Sequence, residues 1–241
     1  MTYSFNILDW CALAPGLCNI EQWQSWSIHP ETDWSEALPK TQHIPMMTAR
    51  RMSTASRLSV EVGLTLLNQQ PDAAIFISRH GELERTCKII EGLCQQQDIS
   101  PTDFAMSVHN TASGLLTITG KQPLPITSIA ADIDGFQQGM LEAQAMLADG
   151  AKKVLLVDFD GAVPDVYQTR IKHQVPAYAV GLLISSGETL RCQQRDKNVY
   201  PLSSKTENPV LPQSLTFMQH WLAKDPQFTL QGMRSDWQWH Q

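Results

Sequence analysis

Two short, uninterrupted apolar runs, Ala73-Ala74-Ile75-Phe76-Ile77 and Val154-Leu155-Leu156-Val157, with the strand-like stretch Pro125 to Ala131 between them, constrain this chain most. A strand apolar on both faces must be covered on both, so such runs belong in the middle layer of a sheet. Helical patterning separates them. Leu83, Cys87, Ile90 and Cys94 fall at i, i+4, i+7 and i+11, and Phe136, Met140, Ala143 and Leu147 form a second stripe in Gly135 to Asp149. Strand and helix in alternation predict an α/β fold with a largely parallel sheet.

The flanking segments extend the pattern. Arg50 to Gln69 reads as a helix with Ala55, Leu58, Val62 and Leu66 on one face. Ser100-Pro101-Thr102-Asp103 has an N-cap serine, a proline at the first helical position and an acid near the positive end of the dipole. Ser4 to Leu8 and Tyr178 to Ile184 read as strands, Gly187 to Gln213 as a loop, and Leu215 to Leu222 as a last amphipathic helix. Trp10, Trp23, Trp26 and Trp34 lie among prolines in a meandering wrap, where large side chains serve as packing anchors. Without repeats or linkers, residues 1–241 are read as one domain.

Composition excludes several classes. A hydrophobic share of 42% is that of a folded globule, and a net charge of −6 argues against general binding to nucleic acid or anionic membranes. No stretch approaches the roughly 18 apolar residues of a membrane span, and no basic N-terminal region precedes Ile7 to Ala14, so a cytoplasmic, soluble chain is expected. The five cysteines match no zinc spacing; Cys87 and Cys94 are read as small core residues, and neither metal nor cofactor is expected.

Two local motifs invite catalytic readings. Ile75-Phe76-Ile77-Ser78-Arg79-His80-Gly81-Glu82 resembles the nucleophile strand of histidine phosphatases, yet His109, His173, His220 and His240 lack the His-Gly setting of the required second histidine. The alternative to phosphoryl chemistry is a strand-to-helix turn in which Gly81 supplies an unusual backbone angle. Val154 to Gly161 resembles the first motif of haloacid-dehalogenase-type phosphatases, with Asp158 and Asp160 as nucleophile and acid, but Lys205, Asp225 and Asp236 supply no convincing partners. The alternative there is a pair of carboxylates that are solvated or cap neighbouring amides.

A wider resemblance absorbs both motifs. Pro45-Met46-Met47-Thr48-Ala49-Arg50-Arg51-Met52-Ser53, Ser78-Arg79-His80-Gly81-Glu82, Ser100-Pro101-Thr102-Asp103-Phe104, Ser107-Val108-His109-Asn110-Thr111-Ala112-Ser113-Gly114 and Ala148-Asp149-Gly150 occur in this order. Together they resemble the short β-ketoacyl-synthase-like, N-terminal-domain proteins of aryl-polyene gene clusters, over about Ile7 to Ile184. The resemblance implies a thiolase-like fold, truncated to mostly the N-terminal half of a condensing enzyme. In a complete condensing enzyme the strand before a sharp elbow delivers a nucleophilic cysteine; here that elbow reads Asp132-Ile133-Asp134-Gly135. Ile133 aligns with the lost nucleophile, or Asp132 if the register slips by one, and neither replaces a thiolate. The catalytic histidines of that family lie in a C-terminal half with no counterpart here.

By resemblance, then, no catalytic residue is expected. The implied role is that of a chain-length-factor-like subunit that heterodimerises with a full-length β-ketoacyl synthase, with acyl carrier protein serving the complex. The implied partner interface is the strand Ile126, Thr127, Ser128, Ile129 and Ala130. His109 and Asn110 are read as capping residues of a turn, the alternative being contact with an acyl chain.

Overall fold

The computed structural model describes residues 1–30, 34, 37–168, 176–196 and 211–241. Strand β1 (Thr2–Leu13) leads through α1 (Ile20–Ile28) and α2 (Met46–Ala49) to α3 (Thr54–Leu67), β2 (Ala73–Ile77), α4 (Leu83–Cys94) and α5 (Pro101–Ala105). Helix α6 (Thr111–Gly120), β3 (Ile126–Ile129), α7 (Gly135–Ala148), β4 (Val154–Asp160), α8 (Asp165–Gln168) and β5 (Tyr178–Ser186) follow. The chain closes with β6 (Leu190–Asp196), α9 (Gln213–Leu222), β7 (Gln227–Leu230) and β8 (Ser235–His240).

Among the described residues, eight strands form one sheet in the order β3-β2-β4-β5-β1-β6-β8-β7. The apolar runs and the stretch between them become its β3-β2-β4 end, where β2 pairs in parallel with both neighbours. Every other pairing among the described residues is antiparallel, so the sheet is mixed rather than largely parallel. The cause is that β5 follows β4 and turns back along it, pairing Asp160 with Tyr178 and Val154 with Ile184.

Alternation along the strands divides the core in two. Ala74, Phe76, Leu155 and Val157 face one way, onto Leu58, Val62 and Leu66 of α3 and Leu116 of α6. Ile75, Ile77, Val154 and Leu156 face the other way, onto Phe136, Met140 and Ala143 of α7 and Leu215 and Phe217 of α9. Contact between α7 and β2 is close because residue 139 is glycine: a Cβ there would lie 2.1 Å from Ile77 Cδ1. Ser53 and Ser100 cap α3 and α5 by accepting the Ser56 and Asp103 amides.

Some expectations change. The Trp-rich segment contains a helix, α1, which buries Trp23 and Trp26; Trp23 donates its indole N–H to the Ala12 carbonyl at 2.9 Å. Thr111 to Gly120 is helical although its apolar residues are interrupted by threonines and glycine. Within the expected loop Gly187 to Gln213, residues 190–196 form a strand, and residues 197–210 lie outside the described residues. Cys87 is buried, but Cys94 is exposed at the end of α4, a helix that buries little besides Cys87.

Candidate functional site

The C-terminal ends of β2, β3 and β4 carry the two phosphatase-like motifs and the elbow Asp132-Ile133-Asp134-Gly135. Past β3 the chain turns sharply: Asp132 has φ of +49°, residues 132–134 make a single turn of 3-10 helix, and α7 begins at Gly135. Aspartate tolerates this left-handed conformation better than most residues, and isoleucine poorly. Asp132 Oδ1 accepts from Arg79 Nε at 2.6 Å, a pair exposed enough to contribute little stability. Asp134 accepts the Met233 amide at 3.0 Å and the Gln213 side chain at 3.3 Å, so the elbow is tied to the C-terminal hairpin.

After β2, Ser78 Oγ donates to Asp160 Oδ1 at 2.6 Å, while the amides of Arg79 and His80 donate to Asp160 at 3.2 and 2.9 Å. The Gly81 amide donates to Ser78 Oγ at 2.7 Å, and Gly81 takes the left-handed angle expected of it, φ +55°. Asp160 therefore caps amides, as one sequence reading has it. The other carboxylate differs: Asp158 is neither solvated nor a cap, but buried with the Tyr178 hydroxyl donating to its Oδ2 at 3.2 Å. Burial, followed by the nearby Asp160 charge, pushes the Asp158 carboxyl up to about 7, against the lowering effect of Ser214 and Tyr178. Burial also raises Asp160, opposed by the Ser78 hydroxyl and by His80. Tyr178 is pushed well above its usual value by burial and by both acids.

Residue types that looked like three separate motifs converge on one cavity of about 430 Å³, with Arg79, His80, Asp132, Ile133, Asp158 and Asp160 in its wall. Such a position, beyond the carboxyl ends of parallel strands, is where open α/β sheets bind ligands. None of the five cysteines lines it. Among the described residues no group of three His, Cys, Asp or Glu side chains is arranged to hold a metal. His173 and Lys205 lie outside the described residues. His109 stands apart from the cavity and bonds the Ser78 carbonyl through Nε2 at 3.0 Å; the Asn110 side chain makes no capping bond.

Sequence reasoning missed Tyr178, Gln213 and Ser214 as neighbours of this site. In the sequence Tyr178 signals only a strand, and no local pattern signals that the start of α9 returns to the elbow.

Strand β3 forms one edge of the sheet. Its register with β2 pairs Thr127 with Ile75, and the Pro125 and Ile129 carbonyls accept amides of β2 and Ser78. Parity then directs the peptide groups of Thr127 inward to β2, and those of Ile126 and Ser128 outward from the edge. All four strand residues are half-buried; Ile126 packs with the α3 side of the core and Ile129 with the α7 side. Ala130, just past the strand, is exposed. Ser128 Oγ lies 3.1 Å from Ser113 Oγ of α6.

Solved structures of known proteins share this fold. A chain from the complex of the ketosynthase ApeO with its chain length factor ApeC, from Xenorhabdus doucetiae, is 44% identical with a TM-score of 0.91, and the match covers 99% of both chains. The ishigamide ketosynthase/chain length factor shares the fold at 13% identity and a TM-score of 0.65, covering 81% of this chain and 68% of that one. A β-ketoacyl synthase from Burkholderia phymatum does so at 11% identity and 0.59, covering 92% and 71%. No curated protein matches the chain. The family described as "Beta-ketoacyl synthase, N-terminal domain" matches residues 23–240, well past the Ile184 limit of the sequence resemblance. With a thiolase-like α/β architecture and a match over most of its length, the chain belongs to the β-ketoacyl synthase N-terminal domain family.

Proposed function

We propose that this chain is a catalytically silent, chain-length-factor-like subunit that pairs with a full-length β-ketoacyl synthase in aryl-polyene, type II polyketide biosynthesis. In this reading residues 1–241 act as one ketosynthase-like domain in the cytoplasm, and acyl carrier protein delivers acyl chains to the complex rather than to this subunit. One observation carries it: the elbow at the end of β3 presents Asp132 and Ile133, and no thiol, to the cavity. Isoleucine has no nucleophilic atom, and the Asp132 carboxylate is engaged with Arg79.

The edge strand supports the docking half of the reading. Outward peptide groups on Ile126 and Ser128 offer a ladder to a partner strand, and an open edge of this kind is a liability that a dedicated partner removes. The likeness to a chain of the ApeO–ApeC complex supports the choice of partner. The phosphatase alternative gains nothing from the geometry, since both Asp160 oxygens are occupied and Asp158 is buried with its Oδ2 bonded to the Tyr178 hydroxyl.

Intact mass spectrometry after incubation with acyl carrier protein thioesters tests silence directly. The expected result is an unchanged mass for this chain while a co-purified ketosynthase acquires the acyl group. A stoichiometric adduct on this chain would overturn the reading.

A further inference from the structure

Residues 38–44, which lead into α2, form neither helix nor strand, yet they reach two parts of the molecule. Leu38 stands in the cavity wall, and Ile44 is buried in the core on the α3 side. With no helix or ladder to join, the backbone between them pairs with a single side chain. Glu61, 4% exposed on α3, takes the Gln42 amide on Oε1 at 2.7 Å and the Ile44 amide on Oε2 at 3.3 Å. Between them the His43 amide donates to both oxygens, at 3.0 and 3.2 Å, and the His43 ring Nδ1 lies 2.8 Å from Oε1. Among the described residues, 38–44 make no other hydrogen bond.

Consecutive N–H groups turned toward one point form a concave anion site, and here a carboxylate of the same chain fills it. A buried carboxylate is costly without such donors, so Glu61 and the segment satisfy each other. Attachment through one group has a mechanical result. Lys40, Gln42 and His43 are exposed, so besides Glu61 the segment is held mainly by Leu38, Pro39 and Ile44. Separation from Glu61 removes every hydrogen bond at once, and little apolar surface remains to resist local opening. We propose that residues 38–44 are a strap that forms a movable part of the cavity wall, latched by Glu61 and released as one unit. Release draws Leu38 out of the wall while Ile77 of β2, Phe136 of α7 and Asp158 of β4 keep their places in it. The proposal goes beyond the docking reading and does not depend on it, because strap, latch and wall all belong to this chain.

Hydrogen exchange of the full chain, read by NMR at single amides, tests the strap. In the wild type the Gln42, His43 and Ile44 amides should share one opening constant within threefold. It should exceed that of Ile75 and Leu156 in the sheet at least tenfold and hardly respond to low urea, because the opening exposes little surface. Replacement Glu61→Met, similar in length but without an acceptor oxygen, should raise the strap's opening constant at least tenfold, and Glu61→Gln, which keeps one such oxygen, should fall between. The link to the cavity is read by iodoacetamide labelling of Leu38→Cys, expected at least fivefold faster when Glu61→Met is added, while the buried Cys192 stays unlabelled. Strap amides that exchange only with the sheet amides, that scatter beyond threefold, or that ignore the Glu61 replacements would each overturn the proposal. So would labelling of Leu38→Cys that is unchanged by Glu61→Met or matched by labelling of Cys192. Should Glu61→Met fail to fold, the wild type and Glu61→Gln still decide.

Discussion

The two edges of the sheet are finished in different ways. At the β7 edge, Phe228 and Leu230 point inward and Gln227 and Thr229 outward, and the strands behind them carry a dense aromatic cluster. Trp239 there lies 4.9 Å from Phe217, 5.6 Å from Phe5 and 6.2 Å from Phe228, ring centre to ring centre. At the β3 edge, all four residues are half-buried, the side chains are small or aliphatic, and the cavity opens just beyond. One end of the sheet is backed by a cluster of its own aromatic side chains, while the other is backed by the cavity. On the proposed docking, recognition falls at the end opposite the aromatic cluster.

The sharpest way to break this contrast is at the aromatic end. Truncation Trp239→Ala should cost about 3–5 kcal/mol of stability, because a fully buried ring with several aromatic neighbours cannot be replaced by local collapse. Urea denaturation checks it; a loss below about 1 kcal/mol would mean that this end is not the stabilising one.

The cavity end holds Asp158, whose folded pKa of about 7 lies above the usual carboxylate value of 3.8. The folded chain therefore holds an extra proton between about pH 4 and 7, and stability from this group falls as pH rises through that window, then stays level. Substitution Asp158→Asn removes the effect, so the mutant should gain on the wild type by about 2–3 kcal/mol between pH 4.5 and 7.5. Asp160, raised in the same direction, and the protonated Tyr178 remain in both proteins. Equal urea midpoint differences at the two pH values would show Asp158 ionised in the folded state.

The smallest effect is expected at the β3 edge, and it concerns association rather than folding. Ser128→Pro deletes an outward N–H and should weaken co-purification with the ketosynthase by about 1–3 kcal/mol while the circular dichroism spectrum is unchanged. Thr127→Pro strikes the ladder to β2 instead and should destabilise the chain itself. Ser128→Ala, which removes only the contact with Ser113, should bind normally. If Ser128→Pro binds as wild type, the partner docks elsewhere.

Legibility in the sequence followed burial. Strands β2 and β4, buried along their whole length, announce themselves as continuous apolar runs. Strand β6 reads Leu190-Arg-Cys-Gln-Gln-Arg-Asp196, buried on alternate residues at its start and mostly exposed at its end, and so passes for a loop. The antiparallel return of β5 was invisible because an apolar run does not state its direction. At the site, the elbow Asp132-Ile133 and both acids could be named from motifs, whereas Tyr178 and the start of α9 reach the cavity through long-range packing. Parity at β3 needed the actual hydrogen bonds: sequence could say that one of Thr127 and Ser128 faces outward, and the register says which.

The turn over Ser78, Arg79 and His80 has a further consequence. Its backbone N–H groups and the Ser78 hydroxyl converge on one point, as donors to an anion would. Asp160 occupies that convergence from within the same chain. A tethered carboxylate competes at an effective concentration that a free anion would need about millimolar levels or more to match, and it is always present. The cradle thus behaves as a receptor delivered with its own inhibitor. Any recovery of anion binding at this turn would have to begin with the removal of Asp160, long before His80 or Arg79 mattered.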